Sequence, residues 1–134
     1  WMKTSYTGYM IQYNGINVYF GGDTGYDSTT TIFKETMERF PNIDLAILPI
    51  APIHPREYSN LRHTDPHDAI KIYFELDADR LMPIHFDTFP ESYDTLGEAE
   101  NLMKAEMIKN NLSDEDVLIF EIGEQKNIIS KHRN

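Results

Sequence analysis

The chain has 134 residues, enough to bury one core without disulfide staples. Its 12 Lys+Arg against 22 Asp+Glu give a formal net charge of −10, so most of its surface repels phosphate backbones and anionic headgroups. That argues against a nucleic-acid partner and against a polybasic membrane binder. With no cysteine, disulfides, thiolate catalysis and Cys-ligated zinc are excluded, and the composition fits a cytoplasmic location. No apolar run is long enough to span a bilayer, and no basic segment followed by an apolar one reads as a signal peptide. The chain opens on Trp1-Met2, and the aromatic text as far as Phe20 reads like the inside of a domain. The expectation is a piece of a longer polypeptide; the plainer alternative is a start at Met2.

Tyr9 to Tyr13 and Ile16 to Phe20 are two β-rich runs joined by Asn14-Gly15, the pair that a type I′ hairpin turn favours. Thr29 to Phe40 has Phe33, Met37 and Phe40 on one helical face, with Asp27 or Ser28 as the cap. Leu45 to Ile50 is an unbroken apolar run, the pattern of a buried parallel strand. Ala51 to Leu61 reads as an irregular loop. Asp65-Pro66 starts a second helix, with Asp65 as N-cap and Ala69, Ile70, Tyr73 and Phe74 inward. Leu81 to Ile84 is another buried strand. Asp94 to Asn110 reads as a third helix with Leu96, Ala99, Leu102, Met103 and Met107 inward, followed by a strand over Val117 to Ile122 and a last short one near Ile128. The order ββαβαβαβ is an α/β chain with helices packed on a sheet.

Two residues stand out by position. Asp23 follows the strand Ile16 to Phe20 among Gly21, Gly22 and Gly25, and His85 follows the strand Leu81 to Ile84. Both lie past the carboxyl ends of buried strands, where open α/β sheets bind ligands. A carboxylate can bridge two metals, and imidazole is the commonest metal ligand. On the residues alone, Asp23 reads equally well as a turn residue bonding its own backbone, and His85 as a core histidine. His63, just before the Asp65 cap, either supports that cap or faces a cleft. His54 and His67 read as structural or exposed, and His132 lies in the tail.

Four blocks then occur in order: Gly21-Gly22-Asp23-Thr24-Gly25-Tyr26, Asp44-Leu45-Ala46-Ile47-Leu48-Pro49-Ile50, His63-Thr64-Asp65-Pro66-His67-Asp68-Ala69 and Pro83-Ile84-His85-Phe86-Asp87-Thr88-Phe89. Together they resemble the C-terminal half of a metallo-β-lactamase-fold hydrolase, over nearly the whole chain from about Trp1 to Gly123. Within that superfamily they are most similar to the branch of the N-acyl-phosphatidylethanolamine-hydrolysing phospholipase D, and more distantly to ascorbate-6-phosphate lactonases. The resemblance implies an α/β fold: half of an αββα sandwich, with a mixed sheet and helices on one face. It implies zinc, one or two ions per intact domain, with Asp23 as the bridging carboxylate, His85 as a ligand and His63 close to the substrate phosphate. The superfamily's His-x-His-x-Asp-His cluster, which lies upstream, has no counterpart here.

The expected parent is therefore a metal-dependent hydrolase that cleaves a phosphodiester, or an ester or lactone, in a small-molecule or lipid substrate through metal-bound hydroxide. This chain alone is expected to be inactive, completed by the missing N-terminal half or paired with a second copy as a homodimer. The alternative of a different class is a non-catalytic half-domain that self-associates. An RNA-processing nuclease of the same superfamily fits the charge of −10 less well.

Overall fold

The computed structural model describes residues 7–29, 31–59, 62–89 and 92–128. Trp1 and His132 lie outside them. Strands β1 (Tyr9–Tyr13) and β2 (Ile16–Phe20) form the expected hairpin, and both turn residues have positive φ, 48° at Asn14 and 73° at Gly15. Helix α1 (Ile32–Arg39), strand β3 (Leu45–Pro49), the single turn α2 (Arg56–Ser59), helix α3 (Pro66–Glu75), strand β4 (Leu81–Ile84) and helix α4 (Glu98–Lys109) follow. The sheet order is β1-β2-β3-β4, with β1 antiparallel to β2 and the other pairs parallel.

The register puts Met10, Tyr19, Ala46 and Leu81 side by side on one face. These residues join the core with Leu48 and with Phe33 of α1, Ala69, Ile70, Ile72 and Tyr73 of α3, and Ala99, Met103 and Met107 of α4. Helix α3 sits at the centre of that layer, packed against β3, α1 and α4. All the long helices thus cover one face of the sheet. The other face carries Tyr9, Ile11 and Tyr13, which are 59%, 54% and 74% exposed.

The helix boundaries differ from the sequence reading for identifiable reasons. The Asp27 carboxylate accepts from the Thr29 N–H at 2.9 Å and the Thr29 hydroxyl at 2.8 Å, an Asx turn that keeps this stretch out of α1, so Thr31 becomes the N-cap. Residues 94–97 do not join α4: Asp94 binds a remote loop, and Gly97 takes a left-handed φ of 81°. Leu96 is consequently exposed, as are Leu102 and Phe74. Phe74 instead packs against Tyr73, and Ile72 takes its place in the core. The expected α3 start holds: Asp65 Oδ1 accepts from the Asp68 N–H at 2.8 Å, with Pro66 at the first position.

The strand expected over Val117 to Ile122 reduces to a single parallel bridge between Leu81 and Val117. There the Leu81 N–H donates to Asp116 O and the Leu118 N–H to Leu81 O, both at 2.8 Å. The next β4 residue whose N–H would face this neighbour is Pro83, which has none, so the ladder stops. The short strand expected near Ile128 is absent from the described residues up to Ile128, and the rest of that stretch lies outside them. Among the described residues no helix is long and apolar enough to cross a membrane.

Candidate functional site

Because β2, β3 and β4 are parallel, their carboxyl ends lie at one end of the sheet. Asp23 comes three residues after β2 and His85 immediately after β4. Gly21 donates its N–H to Ile47 O at 2.9 Å, and a Cβ there would meet Leu48 Cδ2 at 3.0 Å. Gly22 has a φ of 64°. These two glycines let the chain leave β2 close against β3 and turn Asp23 outward.

His63 reaches the same end through its neighbours. The buried Thr64 hydroxyl donates to Pro49 O, the last residue of β3, at 2.5 Å. Arg56 donates to His63 O at 2.9 Å, pairs with Asp65 at 3.1 Å, and also binds the buried Asp68. Held in this way, His63 donates Nδ1–H to Asp23 Oδ1 at 2.7 Å. A carboxylate can only accept, so in the neutral ring Nε2 carries the lone pair. Asp23 and His63 are 45% and 29% exposed, open to a ligand.

His85 is anchored differently. Its backbone is left-handed, with φ 63°, an uncommon state that histidine tolerates better than most residues. Its Nδ1–H donates to Ala51 O at 3.0 Å. A carbonyl also only accepts, so the neutral ring presents Nε2 as a lone-pair donor. A backbone carbonyl fixing the far nitrogen is the usual setting of a metal-ligating histidine. A cavity of about 510 Å³ opens beside it, walled by Ala51, Pro52, Phe86, Leu96 and Ala99.

The structure joins Asp23 to His63 directly and leaves His85 at the same sheet end on its own anchor. A carboxylate oxygen and a neutral imidazole nitrogen suit a divalent metal as part of a donor set. They do not close one: among the described residues no group of three or more His, Cys, Asp or Glu side chains is placed to hold a metal.

Comparison with known proteins agrees with this layout. Residues 1–86 match the family described as Beta-lactamase superfamily domain. The chain belongs to that family. A metal-dependent hydrolase from Exiguobacterium sp. is 39% identical over 83 residues, 62% of this chain and 32% of that protein. The mitochondrial N-acyl-phosphatidylethanolamine-hydrolyzing phospholipase D of Saccharomyces cerevisiae is 30% identical over 89 residues, 65% of this chain and 19% of that protein. Igni18, a metallo hydrolase from Ignicoccus hospitalis, superposes with a TM-score of 0.59 at 25% identity, covering 87% of this chain and 43% of that one. The chain therefore spans a third or less of these curated relatives and under half of that metallo hydrolase. Both the metallo-β-lactamase fold and the phospholipase D-like similarity expected from the four blocks are borne out.

Sequence reasoning missed the parts played by Arg56 and Thr64, which hold the His63 segment, and by Asp94, which accepts from the Ile53 and His54 N–H groups, and it missed the cavity. The one available signal was Pro52 and Pro55, which leave few N–H groups between them and so invite a side-chain acceptor.

Proposed function

We propose that this chain is the C-terminal half of a metal-dependent hydrolase domain, with Asp23 and His85 as metal ligands and His63 at the substrate. The observation that carries the reading is the shared sheet end. The carboxylate and both imidazoles lie past the carboxyl ends of parallel strands, and the His85 hydrogen bond leaves Nε2 for a ligand.

When bound, the metal supplies an activated water and positive charge for the developing oxyanion. Asp23 holds one carboxylate oxygen against His63 and so orients both groups. His63, with Nδ1–H on Asp23, can hold or pass a proton at Nε2, or donate from it to a substrate phosphate oxygen. The reaction proposed is hydrolysis of a phosphodiester, or of an ester or lactone, in a small-molecule or lipid substrate. Zinc is the proposed metal, although the same donors suit iron(II), so elemental analysis is part of the test. The cytoplasm is the location proposed with it, a reducing compartment with which a cysteine-free chain is compatible.

The remaining ligands would come from another half-domain covering the sheet face of Tyr9, Ile11 and Tyr13. A second copy of this chain, paired as a homodimer, would cover the same apolar face without completing the site. Two observations support an added piece: the exposure of that face, and the short share of the relatives' length that this chain spans. Sedimentation of the isolated chain should then show a dimer, and a stable, folded monomer at high concentration would contradict the covered face.

The test of function uses the intact protein that contains this chain. Hydrolysis of a chromogenic phosphodiester and of a lactone is measured before chelation, after it, and after metal is returned. Loss and recovery of one activity support the reading. An activity indifferent to chelation, or none on either substrate in a metal-loaded protein, overturns it and favours the non-catalytic module.

A further inference from the structure

The segment from Ala51 to Pro55 holds the carbonyl that orients His85, yet it lies beyond the last sheet hydrogen bond of β3, from the Ile50 N–H to Ile84 O at 3.1 Å. Pro52 and Pro55 have no N–H, which leaves Ile53 and His54 as the backbone donors after Ala51. Both donate to one side chain: the Ile53 N–H to Asp94 Oδ2 at 2.7 Å and the His54 N–H to Asp94 Oδ1 at 2.8 Å. Backbone amides on an ionised carboxylate are charge-assisted and stronger than neutral pairs. The grip is reinforced by the His54 ring, whose Nε2 pairs with Glu98 Oε1 at 2.9 Å.

A helix-capping role does not account for Asp94. Helix α4 begins at Glu98 behind Gly97, its N-cap makes no side-chain bond, and the Thr95 donors go to Glu98. The Asp94 carboxylate instead reaches about forty residues back along the chain. One of its partners, Ile53, stands two residues from Ala51, whose carbonyl fixes the His85 ring.

We infer that Asp94 is a positioning residue for His85. By clamping Ile53 and His54 it holds the Ala51 carbonyl where it accepts Nδ1–H, and so keeps His85 in the tautomer that offers Nε2. The use of that nitrogen rests on the proposed function; the tautomer control does not.

The test is long-range ¹H–¹⁵N correlation of the histidine rings in ¹⁵N-labelled intact protein stripped of metal by a chelator, at a pH where the rings are neutral, with the His85 signals assigned from His85→Gln. Wild type should show His85 with the proton on Nδ1. Asp94→Ala should move His85 toward the Nε2–H form, and Asp94→Asn, which keeps one acceptor, should lie between. Metal affinity should fall roughly 10- to 100-fold in Asp94→Ala, as for other groups that orient a metal ligand. An unchanged His85 tautomer in a folded Asp94→Ala or Asp94→Asn protein overturns the inference. If His85→Gln leaves metal binding intact while Asp94→Ala still shifts the tautomer, the ligand reading fails and the positioning role stands.

Discussion

Two carboxylates sit beside β2 and β3, one at each end of the sheet, and they are used in opposite ways. At the amino end Asp44 is 5% exposed; its Oδ2 accepts from the Asn17 N–H at 2.7 Å, and its own N–H donates to Asn17 O at 2.8 Å. The Asn17 side chain then donates to Pro41 O and Asn42 O, so this end is stitched shut by backbone partners. At the carboxyl end Asp23 is 45% exposed and bonds a side chain, His63, that is itself open to ligands. The contrast teaches how to separate fold from function among acidic residues at strand ends. A carboxylate filled by backbone amides is structural, and one left open beside an imidazole is available for chemistry.

A large effect should come from Asp44→Ala. It leaves the Asn17 N–H without its buried acceptor and should cost about 2–3 kcal/mol, read as a fall in the urea midpoint. A loss below about 0.5 kcal/mol would break the comparison at its structural end.

Alkaline titration probes the interior from another side. Burial pushes the Tyr19 phenol up to about 12, and its ring lies edge-on to Phe33 with centroids 6.3 Å apart. The unfolded chain ionises near its ordinary 10.0 while the folded one resists, so stability is complete below that pH and declines as pH rises from 10.0 to about 12. The Tyr19 share of the decline should approach about 3 kcal/mol, so the decline should be smaller by that share in Tyr19→Phe, with the rest left to Tyr26 and Tyr73, whose phenols are also pushed up by burial, as followed by denaturant melts across that range.

An acid-side effect should be smaller. The Thr95 amide, then the His54 ring and the Thr95 hydroxyl, hold the Glu98 carboxyl below its ordinary 4.5. A lowered pKa contributes stability above the unfolded value, and that contribution is lost as pH falls through the folded one. Glu98→Gln should lower stability slightly at neutral pH and make the profile less steep below 4.5, so that the variant and the parent converge in acid.

Smallest of all should be the stability change in Asp23→Asn, within about 0.5 kcal/mol, because the side chain is open to water and replaces no buried partner. A loss as large as that of Asp44→Ala would make Asp23 a structural residue after all.

Much of this was legible in the residues. Asn14-Gly15 announced the hairpin, Asp65-Pro66 the α3 start, and the unbroken apolar run before Pro49 the central parallel strand. The errors share a cause: a local pattern was overridden by a distant partner or by a missing donor. Asp94 looked like part of a helix because its acceptors serve amides about forty residues away. The run after Asp116 looked like a strand because Pro83, which halts its pairing, belongs to the neighbouring strand. Asp23 and His85 could be named from their place after strands. The Asp23–His63 bond and the Ala51 anchor of His85 depend on loops that only the fold brings together.

The central claim is that the open carboxylate and imidazole of the carboxyl end are metal ligands. Elemental analysis of the intact protein beside Asp23→Asn, His85→Gln and Asp44→Asn tests it most directly. The account predicts bound metal in the parent and in folded Asp44→Asn, and its loss from Asp23→Asn and His85→Gln with their folds intact by circular dichroism. Full metal content in both carboxyl-end variants would contradict it.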